Sequence, residues 1–199
     1  MLILASASPR RQELLCNAGI PFGVCPADID ETPHVNELPR ECAERLAQEK
    51  GLAVFESQPQ NFVLGADTIV VVDGDVILGK PRDKEDAVRM LRLLSGRTHS
   101  VITGVCLVGP SAEKLELTQG TQNPELKIAS ETTLVTMCQL SDNEISEYIA
   151  TGEPMDKAGA YAIQGIASRW IPRIEGDYSN VVGLPVALVY AMLRERGVV

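Results

Sequence analysis

Aromatic residues are scarce: Phe, Trp and Tyr make up 4% of the 199 residues. Any core must therefore be built from aliphatic side chains. Histidine occurs twice, as His34 and His99. Neither has a metal-ligand pattern around it, so both read as surface or internally satisfied residues. The five cysteines, Cys16, Cys25, Cys42, Cys106 and Cys138, include no C-x-x-C pair and are odd in number. They read as reduced, mostly buried thiols of a reducing compartment rather than as disulfides or metal ligands. No histidine pattern accompanies them, which argues against a nucleophilic cysteine. Positive charge is also in deficit, with 18 Lys and Arg against 27 Asp and Glu, a formal net charge of -9. Such a field does not draw in a polyanion, and large-scale duplex binding by charge neutralisation is not expected; a small anionic substrate needs a local cluster of Lys and Arg. No apolar run is long enough to cross a bilayer. The apolar Met1 to Ala5 stretch is short and lacks a preceding basic region, so it is read as neither signal peptide nor span. A cytoplasmic protein with no membrane or nucleic-acid partner is expected.

The chain does have an ordinary hydrophobic fraction, 45%, with 23% charged. That is enough for one domain over residues 1–199, or for two small lobes sharing a cleft. Leu2 to Ala5 reads as a buried strand, and Ser8-Pro9 as the N-cap and first residue of a helix that stops at Gly19. Further helices are expected from Leu38-Pro39 past Lys50, from Asp83 to Gly96, from the capping box Ser141 to Glu144 up to Gly152, and from Pro185 to Gly197. Strands are expected at Phe62 to Leu64, leading to Asp67, and at Ile69 to Val72 and Val76 to Leu78 around the hairpin turn Asp73-Gly74-Asp75. Two more are expected at His99 to Val108 and Lys127 to Cys138, joined by a polar loop from Pro110 to Pro124. Helices and hairpins mixed along the whole length predict an α/β fold with a mixed twisted sheet and flanking helices.

Six segments carry candidate chemistry. Ser6 to Arg11 puts two serines and two arginines at a helix N-terminus, which suits phosphate; a capped helix with solvated arginines is the other reading. Asp28, Asp30 and Glu31 form an acidic loop that offers oxygen ligands to Mg²⁺ or Mn²⁺, or is a solvated turn. Lys50 lies on the apolar stripe of its helix, with Leu46, Ala47 and Ala53. It therefore either faces inwards towards an anion or snorkels at the edge. Asp67 follows an apolar strand with small residues before it, a position for a metal ligand, a general base or a turn cap. Lys80, after Gly79, can reach a phosphate, although the spaced glycines of a Walker A loop are missing. Met155 to Gly165 is a long Gly- and Ala-rich loop in which Gln164 has the donor and acceptor needed to read a base edge.

Together these segments resemble the Maf family of nucleotide pyrophosphatases. The resemblance rests on Ser6-x-Ser8-Pro9-Arg10-Arg11, Asp30-Glu31, Glu49-Lys50, Gly65-Ala66-Asp67-Thr68, Gly79-Lys80-Pro81-Arg82-Asp83, Leu94-Ser95-Gly96-x-x-His99, Asp156 to Tyr161 and Val182 to Pro185. It implies an inosine-triphosphatase-like fold with two lobes around a cleft. It also implies hydrolysis of a nucleoside triphosphate to the monophosphate and diphosphate with a divalent metal, and a homodimer. Asp67 then falls on the proton acceptor, Ser8, Arg11, Lys50 and Lys80 on the phosphate set, and Glu31 and Asp67 on the metal. Arg10, Thr68 and Gln164 fall where subfamilies differ, and as they stand they look like the dTTP and UTP branch. A purine triphosphate cleaner of the ITP and XTP type, or a non-enzymatic nucleotide-binding regulator of septum formation, are the competing expectations.

Overall fold

The computed structural model of the chain describes residues 1–110 and 124–199. The loop expected between Pro110 and Pro124 thus lies, apart from its ends, outside the described residues. Seven strands form one mixed sheet: β1 Leu2–Leu4, β2 Gly23–Val24, β3 Phe62–Val72, β4 Val76–Leu78, β5 Thr98–Gly109, β6 Glu125–Thr136 and β7 Arg173–Glu175. The order is β2-β1-β3-β5-β6-β7, with β4 on β3. Pairing is parallel among β2, β1 and β3 and antiparallel elsewhere. The helices are α1 Pro9–Asn17, α2 Pro39–Phe55, α3 Lys84–Leu94, α4 Asp142–Ala150, α5 Tyr178–Val182 and α6 Val186–Glu195. The mixed α/β class and the five long helices follow the sequence. Strands β2 and β7 and the short α5 do not announce themselves in it, because two to five residues are too few for a period to show.

The alternation of a strand sorts β3 into two faces. Val63, Ile69 and Val71 pack towards α2, beside Ala47, Val54 and Ala43. Leu64 and Ala66 pack on the other face with Leu15, Val189 and Leu193 of α1 and α6. Val70 and Val72, further along that same face, join α3, α4 and Trp170. So the face opposite α2 carries two apolar cores at its two ends, and Thr68 lies between them. These are the two lobes, spanned by the same long strands.

Helix α2 lies very close to the sheet. A Cβ on Gly65 would sit 2.0 Å from the Ala47 carbonyl oxygen, and one on Gly104 would sit 2.2 Å from that of Ala43. Residues 65 and 104 are therefore glycine so that a helix backbone can rest on the strands. The sequence places Asp67 at a strand end, after a break at Gly65-Ala66. The structure corrects this: β3 runs unbroken to Val72, and Asp67 pairs with Gly104 in mid-strand. The long loop expected from Met155 to Gly165 is likewise partly ordered, into short 3₁₀ turns at Glu153–Asp156 and Ala158–Ala160.

Candidate active site

The sheet has a gap beside Asp67. On one edge of β3, the parallel strand β1 covers Phe62 to Leu64, and the antiparallel β4 covers Val70 to Val72. Because of these directions, the C-terminal ends of β1 and β4 run towards each other and both stop short of residues 65–69. The segments that leave them carry Ser6 to Arg10, into the start of α1, and Gly79-Lys80. A cleft of about 660 Å³ opens there, lined by Ser8, Arg10, Arg11, Glu31, Lys50, Asp67, Thr68, Lys80 and Gln164 among others. All the site residues that the resemblance implies thus meet in one place, from six separate segments.

Asp67 points to the α2 side and accepts a hydrogen bond from the Lys50 ammonium at 2.6 Å. Lys50 is 7% exposed, so it faces inwards as its helical stripe predicts and does not snorkel. Its Nζ also lies 2.5 Å from Glu31 Oε1. Two carboxylate oxygens therefore converge on one cationic point. Lys80, exposed at the rim, lies 3.8 Å from the other oxygen of Glu31. Burial raises the Glu31 pKa, but the hydrogen bond and charge of Lys50, with Lys80 and Arg11, outweigh it and hold the carboxyl below its ordinary value. Of the acidic loop, Glu31 alone lines the cleft. Asp30 is turned back on its own chain, accepting from the amide and hydroxyl of Thr32 at 2.9 and 2.6 Å. Arg45 of α2 ties this loop down, donating to Glu37 at 2.6 Å and to the Thr32 carbonyl at 3.2 Å. Its hydrogen bonds take the Glu37 carboxyl to about 2. Arg45 was not singled out in the sequence, where it reads as one charge among several on a solvated helix face.

Thr68 points the other way. Its Oγ1 accepts from Arg11 Nη2 at 3.0 Å and lies 2.9 Å from Thr103 Oγ1. Arg11 is 9% exposed and donates in addition from Nε to the Gly183 carbonyl at 2.8 Å and from Nη1 to Ser6 Oγ at 3.1 Å. The solvated-arginine reading therefore fails for Arg11. Burial presses its pKa down, against the opposing pull of Asp67 and Glu31. Three of its five N–H groups are engaged within the protein and two remain for a ligand. Arg10, half-buried, stands 3.7 Å from Asp156. Ser8 is the N-cap of α1, as expected, but its side chain makes no capping bond, which leaves the hydroxyl free for a ligand. Gln164 is exposed at the opposite rim.

The other candidates recede. His34 is exposed, whereas His99 is buried and pairs with the Tyr161 hydroxyl at 2.8 Å, its Nδ1 left without a partner. Burial lowers the His99 pKa to about 4. The Cys42 thiol touches the cleft, but burial and then the charge of Glu37 push its pKa to about 11. It is a protonated thiol at neutral pH, which agrees with a non-nucleophilic cysteine.

Mg²⁺ and Mn²⁺ take hard oxygen ligands and usually share them between one or two carboxylates, water and substrate phosphates. The point on which Glu31 and Asp67 converge is held by the Lys50 ammonium, so it is their remaining carboxylate oxygens that fit a cation held in that shared way. Among the described residues no group of three or more His, Cys, Asp and Glu could hold a metal by itself.

The family description Maf-like protein matches residues 1–196. The chain belongs to the Maf family. Two curated relatives, both named dTTP/UTP pyrophosphatase, extend that match. One from Koribacter versatilis is 56% identical over 197 residues, covering 99% of this chain and 95% of its own. One from Syntrophomonas wolfei is 50% identical over 194 residues, covering 98% and 96%. Among solved structures, the Staphylococcus aureus Ham1 protein aligns with a TM-score of 0.43 and 15% identity over 68% of this chain and 71% of its own; so loose a likeness adds nothing to the Maf assignment. Besides Arg45, Thr103 escapes the sequence reading of this Maf site, whereas Gly183 enters it within the Val182 to Pro185 motif. The signal that was present is a lone hydroxyl, Thr103, inside the apolar run Val101 to Val108.

Proposed function

We propose that this chain hydrolyses dTTP and UTP to the nucleoside monophosphate and diphosphate. The observation that carries the proposal is the buried Lys50–Asp67 pair at the gap in the sheet, with Glu31 and Lys80 beside it, in a chain 56% identical to a dTTP/UTP pyrophosphatase. In this reading Asp67 orients a water and takes its proton as the water attacks the α-phosphorus. Lys50 keeps the carboxylate in place, and with Lys80 and the two free N–H groups of Arg11 it offsets the charge that builds on the departing diphosphate. Ser8 supplies a hydroxyl to the phosphate chain. Glu31 and Asp67 would hold Mg²⁺ or Mn²⁺ jointly with the triphosphate, and the ion would neutralise phosphate charge. Arg10, Thr68 and Gln164 contact the nucleoside end and select the base. A cytoplasmic location is part of this proposal; among the described residues no helix is long and apolar enough to cross a membrane.

The test is diphosphate release across a panel of nucleoside triphosphates with and without Mg²⁺. Preference for dTTP and UTP, dependent on the ion, is expected. Preference for ITP or XTP would replace the substrate assignment. Binding of dTTP with no diphosphate release would replace the enzyme by a nucleotide-binding regulator.

A further inference from the structure

Thr103 does not line the cleft. It is fully buried, directly across from Thr68 in the β3–β5 ladder. Its Oγ1 donates to the Asn180 carbonyl at 3.1 Å. Asn180 is itself immobile: it is fully buried, and its Nδ2 donates to the Val101 carbonyl and to Thr133 Oγ1, both at 3.0 Å. A threonine has a single hydroxyl proton. With the Thr103 proton on Asn180, Thr103 Oγ1 at 2.9 Å is the nearer acceptor for the Thr68 proton, and the Gly183 carbonyl at 3.3 Å is the farther one. The oxygen of Thr68 then accepts from Arg11 at 3.0 Å and keeps one lone pair free. Thr68 is half-buried and lines the cleft, so what it shows there is an acceptor and not a donor.

We propose that Thr103 is a positioning residue for base selection: by taking the Thr68 proton it fixes Thr68 as a hydrogen-bond acceptor facing the nucleoside end of the cleft. The inference rests on the dTTP and UTP reading and deepens it. Asp67, Glu31, Lys50 and Lys80, which serve the metal and the phosphates, gather on the other face of β3. The Thr68 face offers instead hydroxyls, the Gly183 carbonyl and an arginine whose bonds run mostly into the protein. A uracil or thymine ring carries an N3–H donor, which an acceptor matches. A cytosine ring has a bare N3 lone pair at the same place, which an acceptor repels. The discrimination would therefore be set one residue behind the cleft wall, by the direction of a chain of hydroxyl protons.

The test is kcat and KM for UTP, dTTP and CTP with the wild type, Thr103→Val and Thr103→Ser. Valine keeps the volume but cannot take the Thr68 proton, which then keeps only the longer 3.3 Å contact with the Gly183 carbonyl and turns more readily towards the ligand. The ratio of kcat/KM for UTP over CTP is expected to fall about 2- to 10-fold in Thr103→Val, the range of one neutral hydrogen bond, mainly through KM. Thr103→Ser, which keeps the hydroxyl, is expected to hold the wild-type ratio. Equal losses on UTP and CTP in Thr103→Val, or a ratio just as relaxed in Thr103→Ser, would overturn the proposal. Should Thr103→Val not fold, Thr103→Ala gives the same comparison without the branched side chain. A wild type that shows no preference for UTP and dTTP over other nucleotides defeats the functional assignment itself; a wild type that prefers them, beside a Thr103→Val that keeps its full ratio, defeats only the role of Thr103.

Discussion

Replacing Lys50 by Met keeps most of the aliphatic stem and removes the ammonium between Glu31 and Asp67. The Lys50 and Asp67 side chains are 8% and 12% exposed, so this is a buried pair, and it is bonded at 2.6 Å. Removing one partner of such a pair typically costs about 3–5 kcal/mol, because a charge is left buried without compensation. Asp67 borders the cleft and can take water or a proton there, so we expect the lower end, about 3 kcal/mol. For a chain of this size that lowers Tm by roughly 6–12 °C. Asp67→Asn should cost less, since the ammonium of Lys50 keeps Glu31 at 2.5 Å. The double variant Lys50→Met/Asp67→Asn is then less destabilised than its parts combined, by about 1.5–3 kcal/mol of coupling. Urea unfolding at pH 7, followed by the fluorescence of Trp170, reads all three; this is the sole tryptophan of the chain and lies in the core by α3 and α4. Single-variant costs that add to within about 0.5 kcal/mol would refute the coupling of Lys50 to Asp67.

Other consequences follow from the same geometry. Gly65→Ala would put a methyl 2.0 Å from the Ala47 carbonyl and 2.7 Å from the Gly51 amide; α2 has to lift, so both Tm and turnover should fall, and an unchanged melt would contradict the close helix–strand contact. His99 gives stability a pH dependence. Its folded pKa, about 4, lies below the ordinary 6.5, so the unfolded chain takes up a proton first as pH falls. Stability from this group is complete above about 6.5 and declines towards about 4, by up to about 3 kcal/mol; His99→Gln should flatten that part of the pH–stability curve. Gln164 is exposed and makes no hydrogen bond among the described residues, so Gln164→Ala should leave the unfolding free energy within about 0.5 kcal/mol and change the ratio of activities on different bases. Equal activity losses on every nucleotide would remove Gln164 from base selection.

Local chemistry explains what could be read ahead of the structure. Lys50 was legible because the helical period of Leu46 and Ala47 places it on the buried stripe, although Ala53, counted with them in the sequence, is exposed. Asp67 was legible as a carboxylate after an apolar run, but its place in the strand was not. Gly65 and Ala66 look like a break, whereas Gly65 serves the approach of α2, a partner on a different element. The acidic loop gave three candidates, and only the Asp30–Thr32 turn and the grip of Arg45 decide that Glu31 is the one facing the cleft. The chain from Arg11 through Thr68 and Thr103 to Asn180 joins residues up to 169 positions apart. It depends on strand register and on a five-residue helix, neither of which leaves a period in the sequence. The convergence of β1 and β4 on one edge of β3 is also a matter of strand direction, which no local pattern reveals.

Asp67 stands at the centre of this account, and one comparison tests it most directly. Diphosphate release from dTTP and UTP with Mg²⁺ is measured for the wild type and for Asp67→Asn, together with binding of the same nucleotides. The account predicts that Asp67→Asn stays folded and still binds dTTP but loses most of its turnover. Turnover close to that of the wild type would show that the proton acceptor lies elsewhere.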